Sequence, residues 1–500
     1  MHCQWRGGSL RGVEGVPVRV EVQMARGLPG LSLVGLAGAA TRESRERVLG
    51  ALRESGFQAP SGRVTVNLAP AEEPKEGSAF DLPMALGLLE VTGQLKPRRG
   101  RGWWLLGELA LDGRLRPVRG ALALGLAARR AGADGLILPA GNAAEAALLD
   151  GIPVGLLENL AAAVAWVEER HEAAPPPDPG EDPAPARRAP LDLAEVVGLP
   201  RVRRALEVAA AGAHNLLLVG SPGNGKSLMS RVLADLLPPL TRDERREVMA
   251  LRSVAGLDPA DPRRPFRAPH HTVSVAGFLG TVTRGGRPGD LALAHRGLLF
   301  LDELPEFNRA VREALREPLE DGRLVLSRGA GRLIWPARFQ LAAAMNPCPC
   351  GQALRGEEHC RCSPGQVRAY LGRISGPLLD RIDLVVEVPR WRPDGGPGAG
   401  SGSTEAARAR VLAAWRRLRA GEVAAQPADG DWLDAQLERA GASFRARGKV
   451  RGVARTLAAL DGRGRAGRAD LVEALDLCLA LRRRLEPGLA SVAAPQRGGS

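Results

Sequence analysis

Aromatic side chains are scarce in this chain. Its 500 residues hold eight Trp, eight Phe and one Tyr, Tyr370. Stacking of bases on aromatic platforms is therefore disfavoured as the main grip on a nucleic acid. Lysine is scarcer still: Lys75, Lys96, Lys226 and Lys449 are the four among 69 basic side chains. A net charge of +13 fits a polyanionic partner tracked by arginine, but the same Arg-for-Lys skew is what a GC-rich genome produces. No apolar run approaches the roughly 20 residues of a membrane-spanning helix. The opening MHCQWRGGSL has no apolar signal-peptide core. Both point to a cytoplasmic protein with no membrane partner. Six cysteines are too few for a secreted disulfide framework at this length.

What is present divides the chain. The length suggests about two to four domains. HEAAPPPDPGEDPAPARRAP, 171–190, is rich in Pro and charge and reads as an extended linker. RPDGGPGAGSGS, 392–403, reads as a flexible joint. The expected blocks are an α/β or α+β block over 1–170, a core over 191–390 with a Cys-rich loop at 346–362, a Gly-rich connection over 391–403, a basic helical block over 404–490, and a tail over 491–500. In the core, short apolar strands alternate with helices, the pattern of a parallel sheet covered on both faces.

The segment NLLLVGSPGNGKSLMSRVLADLL, 215–237, is an apolar strand, a glycine-rich turn and a helix in succession. Gly220, Ser221, Pro222, Gly223, Asn224, Gly225, Lys226 and Ser227 spell G-x4-G-K-S in the strand–loop–helix context that gives this spacing its meaning. Glycines let backbone N–H groups curl around phosphates, and the helix N-terminus adds its positive end. Lys226 is placed to reach the β- and γ-phosphates of ATP, and the Ser227 hydroxyl to hold Mg²⁺. A second apolar strand, in GLLFLDELPEF at 297–307, delivers Asp302 and Glu303 at its C-terminal end. Asp302 is the candidate to orient the metal and Glu303 the candidate general base. FQLAAAMN, 339–346, ends on Asn346, positioned to hold the attacking water or touch the γ-phosphate. Arg381, in GPLLDRIDLVVEVP at 376–389, precedes a further strand. It can close a neighbouring subunit's ATP site and stabilise charge on the transferring phosphoryl group. The alternative is an Asp380–Arg381 surface pair.

Cys348, Cys350, Cys360 and Cys362 crowd into one loop just after Asn346. C-x-C twice, within one loop, can close a four-sulfur zinc site, with His359 as an alternative ligand. Reduced thiols without a metal and a redox switch are the other readings. Four thiolates leave no open coordination position, so catalysis at such a metal is not expected. His270 and His271 have no evident metal partner and read as structural hydrogen-bonding groups.

GSPGNGKS, GLLFLDELPEF, AMNPCPCG and GPLLDRIDL, with RPFRAPHHTVSVAGFLG at 264–280 and the run at 316–346, resemble the magnesium-chelatase-like AAA+ ATPases of the YifB/ComM type. GLPGLSLVGLAGAATRESRERVLGALRESGF and RVTVNLAPAEEPKEGSAFDLPMALGLL near the N-terminus are similar to that family as well. The resemblance spans roughly 10–170 and 190–480. It implies a multidomain α/β fold: an N-terminal Lon-protease-like (ribosomal S5 domain 2-like) α+β domain, a central AAA+ P-loop NTPase, and a C-terminal helical lid. It further implies a ring, a hexamer, with ATP sites between subunits. Asn346 takes the place of sensor 1, Arg381 that of the arginine finger, and Arg445 that of a sensor-2 arginine, with Arg455 a weaker match. For relatives linked to natural transformation the implied activity is ATP-driven translocation and branch migration on single-stranded or branched DNA. The alternative is a protein-remodelling ATPase or a chelatase-like motor subunit acting on a protein partner.

The hairpin RLVLSRGAGRLIW, 323–335, offers Arg328 and Arg332, and the insert at 271–291 offers Arg284 and Arg287. In related ATPases such hairpins face the pore, which makes these arginines the candidate DNA contacts. In the Lon-like domain the family's catalytic serine falls on Ala79, beside Ser78, and its lysine on Leu124. A non-catalytic domain that docks a partner or steadies the ring is expected, with Glu72, Glu73 and Asp81 as surface or capping groups. Gly198-Leu199-Pro200 stands where relatives have Gly-Gln near the adenine pocket, and 391–442 is shorter and more Gly-rich than in relatives.

Overall fold

Two sheets organise the chain. The computed structural model describes residues 1–35, 39–70, 75, 77–178, 192–196, 199–258, 261, 263–282, 286–328, 331–355, 359–389, 402–439 and 442–482. The first sheet starts with a long antiparallel hairpin, β1 (His2–Arg11) and β2 (Glu14–Ala25). β3 (Gly30–Val34), α1 (Ala39–Glu54), β4 (Arg63–Ala69) and α2 (Asp81–Val91) follow. Next come β5 (Trp103–Leu105), α3 (Ala121–Arg130), β6 (Gly135–Pro139), β7 (Val154–Leu157) and α4 (Leu160–Val167). The seven strands lie in the order β3-β4-β2-β1-β5-β6-β7.

Strand alternation sends Val18, Val20, Val22, Val64, Val66 and Leu68 into one core with α1, α2 and α4. Trp104, Leu136, Leu138 and Leu156 join a second core with α3. Glycine at 87 lets α2 lie on the sheet, because a Cβ there would sit 2.5 Å from Val22. The segment read as a linker from 171 still belongs to this sheet at its start. Ala174 and Leu156 exchange backbone hydrogen bonds at 2.8 and 3.1 Å, and Arg99 pairs with Glu172 at 2.9 Å. A Pro-rich composition does not prevent the first residues of a segment from pairing along a free edge.

The second sheet carries the core. Its elements are α5 (Pro200–Gly212), β8 (Leu216–Val219), α6 (Lys226–Leu236), α7 (Arg242–Ala255), β9 (Phe266–Arg267), β10 (Leu298–Leu301), the hairpin β11 (Arg323–Arg328) and β12 (Gly331–Pro336), β13 (Gln340–Met345), α8 (Pro364–Leu371) and β14 (Leu384–Glu387). Five strands run parallel in the order β9-β10-β13-β8-β14. Leu216, Leu218, Leu298, Phe300, Ala342 and Ala344 face α5, α6 and the C-terminal helices. Leu217, Val219, Leu299, Leu301, Leu341 and Ala343 face the opposite core with Trp335 and Tyr370. Burial on both faces is why these strands read as unbroken apolar runs.

The C-terminal block is α9 (Thr404–Arg419), α10 (Gly430–Arg439), α11 (Phe444–Leu460) and α12 (Arg468–Leu475). It packs on the α5 side of the sheet. Arg410 pairs with Glu207 at 2.6 Å, and Lys449 Nζ donates to the Ile382 carbonyl at 2.6 Å.

The first domain rests on α7. Met249 enters the α3 core, Gly120 N donates to Ser253 Oγ at 2.6 Å, and Arg242 and Arg246 both pair with Asp150. Among the described residues no helix is long and apolar enough to cross a membrane.

Candidate functional site

β8 feeds straight into the loop 220–227. A Cβ on Gly220 would lie 2.5 Å from the Val388 carbonyl oxygen, so glycine is required where the loop leaves beside β14. Gly223 and Gly225 have φ of 81° and 78°, the left-handed region open to glycine at no steric cost. Three neighbours fasten the loop. Gly220 N donates to Met345 O at 3.2 Å, Asn224 Nδ2 to Val388 O at 2.8 Å, and Ser221 Oγ to Gly351 O at 2.7 Å. Pro222 lies against Gly351.

Lys226, at the start of α6, is 8% exposed. Its Nζ donates to Gly220 O at 2.7 Å, Ser221 O at 3.0 Å and Asn346 Oδ1 at 3.1 Å. Burial lowers its pKa, against the pull of Asp302 and Glu303. Ser227 Oγ donates to the Asp302 carboxylate, and Asp302 Oδ1 accepts the Glu303 N–H at 3.0 Å. A hydroxyl and a carboxylate side by side are the hard oxygen donors that Mg²⁺ takes, so this pair fits the ion. Glu303 holds φ 53°, an uncommon backbone for a non-glycine residue and one that gathers at functional sites. Its carboxylate lies 3.6 Å from His271 Nδ1. A cavity of about 340 Å³ beside these groups is lined by Ser227, Arg231, His270, His271, Asp302 and Glu303 among others.

Adjacent parallel strands explain the meeting. β10, β13 and β8 are neighbours, so Asp302, Asn346 and the loop emerge at one edge of the sheet, the C-terminal edge where open α/β sheets bind ligands. Tyr370 hydrogen-bonds the Asn346 backbone from α8, and burial pushes its hydroxyl up to about 12.

Arg381 and Arg445 lie together elsewhere. Arg381 donates to Arg316 O at 3.1 Å, to Pro377 O at 2.7 Å and to the Glu320 carboxylate. Arg445 donates to the other oxygen of Glu320 at 2.9 Å. Asp380 pairs with Arg482 at 2.5 Å, so the Asp380–Arg381 surface pair does not form. Arg455 donates to Val423 O at 2.9 Å inside the helical block, a bond within the block's own packing.

The four sulfurs of Cys348, Cys350, Cys360 and Cys362 all lie within 4.8 Å of one another, without His359. None is in a disulfide. The two hairpins stack: Gly286 approaches Leu333 and Trp335 so closely that a side chain there would collide. Arg287 and Arg332 are exposed on them. Arg284 and the Arg328 side chain lie outside the described residues, as do Glu72, Glu73 and Gly198.

In the first domain, Ser78 Oγ donates to Glu108, and Leu124 is buried apolar packing. The reading of Asp81 as a surface or capping group is corrected. It is fully buried, paired with Arg47 at 2.9 Å, and accepts the Leu109 N–H at 3.2 Å. Its place in the first turn of α2 suggested an exposed position, which packing against α1 overrides.

Sequence reading missed His271 as a neighbour of Glu303, Glu320 as the shared acceptor, and Gly351 as the support of Ser221. Only the PHH run offered a signal, through its two consecutive imidazoles.

Comparison with known proteins agrees with this architecture. The family model "Magnesium chelatase, subunit ChlI" matches residues 192–394, and "Subunit ChlI of Mg-chelatase" matches 20–142. The chain is 41% identical over 488 residues to YifB of Salmonella typhimurium, spanning 93% of this chain and 94% of the relative. It is 38% identical over 487 residues to the competence protein ComM of Haemophilus influenzae, spanning 93% and 95%. A Lon protease of Mycolicibacterium smegmatis is 28% identical over 160 residues, 31% of this chain and 20% of that protein. Identity above 30% along nearly the whole length of both chains, together with the parallel sheet and its glycine-rich loop, makes this chain a member of the YifB/ComM-type magnesium-chelatase-like AAA+ family.

Proposed function

We propose that the chain is an ATPase that works as a ring, hexameric as the family resemblance implies, and couples ATP hydrolysis to movement along DNA. The observation that carries this reading is one hydrogen-bonded set: Lys226 on Asn346, Ser227 on Asp302, with Glu303 adjoining. Mg²⁺ and ATP, when bound, supply the electrophilic phosphorus and neutralise its charge. The chain's own groups do the rest. Backbone N–H groups of 220–227 cradle the phosphates, Lys226 holds the β- and γ-oxygens, and Ser227 and Asp302 hold the metal. A Glu303 carboxylate oxygen takes a proton from the attacking water, and Asn346 orients that water. Arg381 and Arg445, gathered away from their own loop, are offered to the adjoining copy. The four cysteines are suited to a structural zinc ion outside the hydrolytic step.

Arg287 and Arg332, with Arg284 and Arg328, are the proposed contacts to the phosphate backbone. The name of the relative ComM, a competence protein, supports DNA as the load. A protein load is the second reading, favoured by the docking of the first domain on α7. The deciding experiment measures ATP turnover by the whole chain and by Glu303→Gln, with and without single-stranded or branched DNA. Turnover abolished in the variant and raised by DNA in the parent supports the proposal. Stimulation by a protein and not by DNA selects the second reading. Unchanged turnover in Glu303→Gln removes the hydrolytic assignment on which both readings rest.

A further inference from the structure

The four-sulfur cluster touches the phosphate loop, and the contact runs through one residue. Cys348 Sγ lies 3.4 Å from Cys350 Sγ and 3.7 Å from Cys360 Sγ, and Cys350 and Cys360 are also 3.7 Å apart. Sulfurs around a zinc ion at about 2.3 Å stand about 3.8 Å from one another at the corners of a tetrahedron. The observed spacings are close to that figure and too long for a disulfide. Backbone N–H groups also aim at the sulfurs: those of Arg361 and Gln352 at Cys350, that of Cys362 at Cys360, and that of Cys350 at Cys362. Four sulfurs facing one small space at these separations are the soft donor set that Zn²⁺ takes.

Gly351 follows directly on Cys350. Its N–H donates to Cys348 O at 3.0 Å, and its φ of 78° is left-handed. Its carbonyl accepts the Ser221 hydroxyl at 2.7 Å, and a Cβ at this position would run into Pro222. The turn between two metal ligands is therefore packed against the second and third residues of the phosphate loop. Cys348 is also two residues beyond Asn346.

We propose that Cys348, Cys350, Cys360 and Cys362 bind one zinc ion, and that this ion sets the affinity of the phosphate loop for nucleotide by holding Gly351 against Ser221 and Pro222. The inference rests on reading Gly220–Ser227 as the phosphate loop. Supports one bond removed from a site commonly change its affinity by about 10- to 100-fold. Loss of a single supporting hydrogen bond accounts for about tenfold.

The test uses the full chain, purified reduced, with zinc measured by elemental analysis and nucleotide affinity by titration with fluorescent ADP. One zinc per chain is expected. Stripping it with a chelator under reducing conditions weakens ADP binding about tenfold, and added Zn²⁺ restores it. Gly351→Ala keeps its zinc yet weakens ADP binding to a similar extent. That variant decides the matter if stripping unfolds the chain. No zinc bound and none taken up overturns the metal site. Zinc bound, with ADP affinity equal before and after stripping or unchanged in Gly351→Ala, overturns the coupling. Absence of ADP binding by the zinc-loaded parent overturns the phosphate-loop reading instead.

Discussion

Lys226 Nζ lies 3.1 Å from Asn346 Oδ1, across 120 positions of sequence. β8 and β13 are adjacent and parallel, with Val219 opposite Met345, so their ends present both groups to one space. If Asn346 positions water and Lys226 binds phosphate, as proposed, the two roles separate kinetically. Asn346→Ala is expected to lower kcat about 10²-fold while ATP affinity moves only a few-fold. Lys226→Ala should lose nucleotide binding outright. Steady-state turnover and an ATP titration on each variant check this. Equal losses in kcat and affinity for Asn346→Ala would make it a binding residue.

Arg381 and Arg445 share Glu320. If this pair serves an adjoining copy, Arg381→Ala lowers turnover about 10³-fold while keeping its own phosphate loop intact. Mixing it with Lys226→Ala then regenerates competent sites, because one variant lends the loop and the other the arginine. Turnover of mixtures at several ratios reads this directly. Mixtures no more active than either variant alone would mean that no site is shared.

Arg287 and Arg332 are exposed on stacked hairpins. Reversing both to Glu is expected to weaken DNA binding. It should also flatten the slope of log affinity against log salt by about 1 to 2, since each lost phosphate contact removes about 0.7 to 0.9. Binding measured at several salt concentrations decides. A parallel line, lower but equally steep, would place the arginines off the DNA path.

His295 is 2% exposed. Its Nδ1 accepts the Arg338 N–H at 3.0 Å and its Nε2 lies 2.9 Å from Glu247. Burial holds His295 and His214 below the ordinary value of 6.5, against the attraction of Glu247 and Asp383. A depressed folded pKa means that the unfolded chain takes up protons first as the pH falls. The stability is therefore present above about pH 6.5 and lost below it, by up to about 1.4 kcal/mol per pH unit for each histidine. His295→Gln should reduce that loss between pH 7 and 5, measured by urea unfolding at both values. An unchanged difference between the two would show that His295 does not titrate on unfolding.

Much of the site is legible in one dimension. The loop 220–227, the strand ending in Asp302 and Glu303, and the strand ending in Asn346 all announce themselves, because each is a local pattern of apolar run and polar terminus. The failures are of another kind. Asp81 reads as a capping group because its helix position is visible, whereas the α1 arginine that buries it stands 34 residues earlier. The segment after 170 reads as a linker because composition does not reveal a free edge at β7.

By itself the sequence determined where the glycine-rich turn follows β8 and which strands must be buried on both faces. Glycine content, hydrophobic period and strand-end carboxylates act within a few residues of one another. Only the tertiary structure decided the partnerships: Ser221 with Gly351, His271 with Glu303, and Arg381 and Arg445 on Glu320. Those depend on strand order and on which loops the packed helices bring side by side, and no local spacing encodes them.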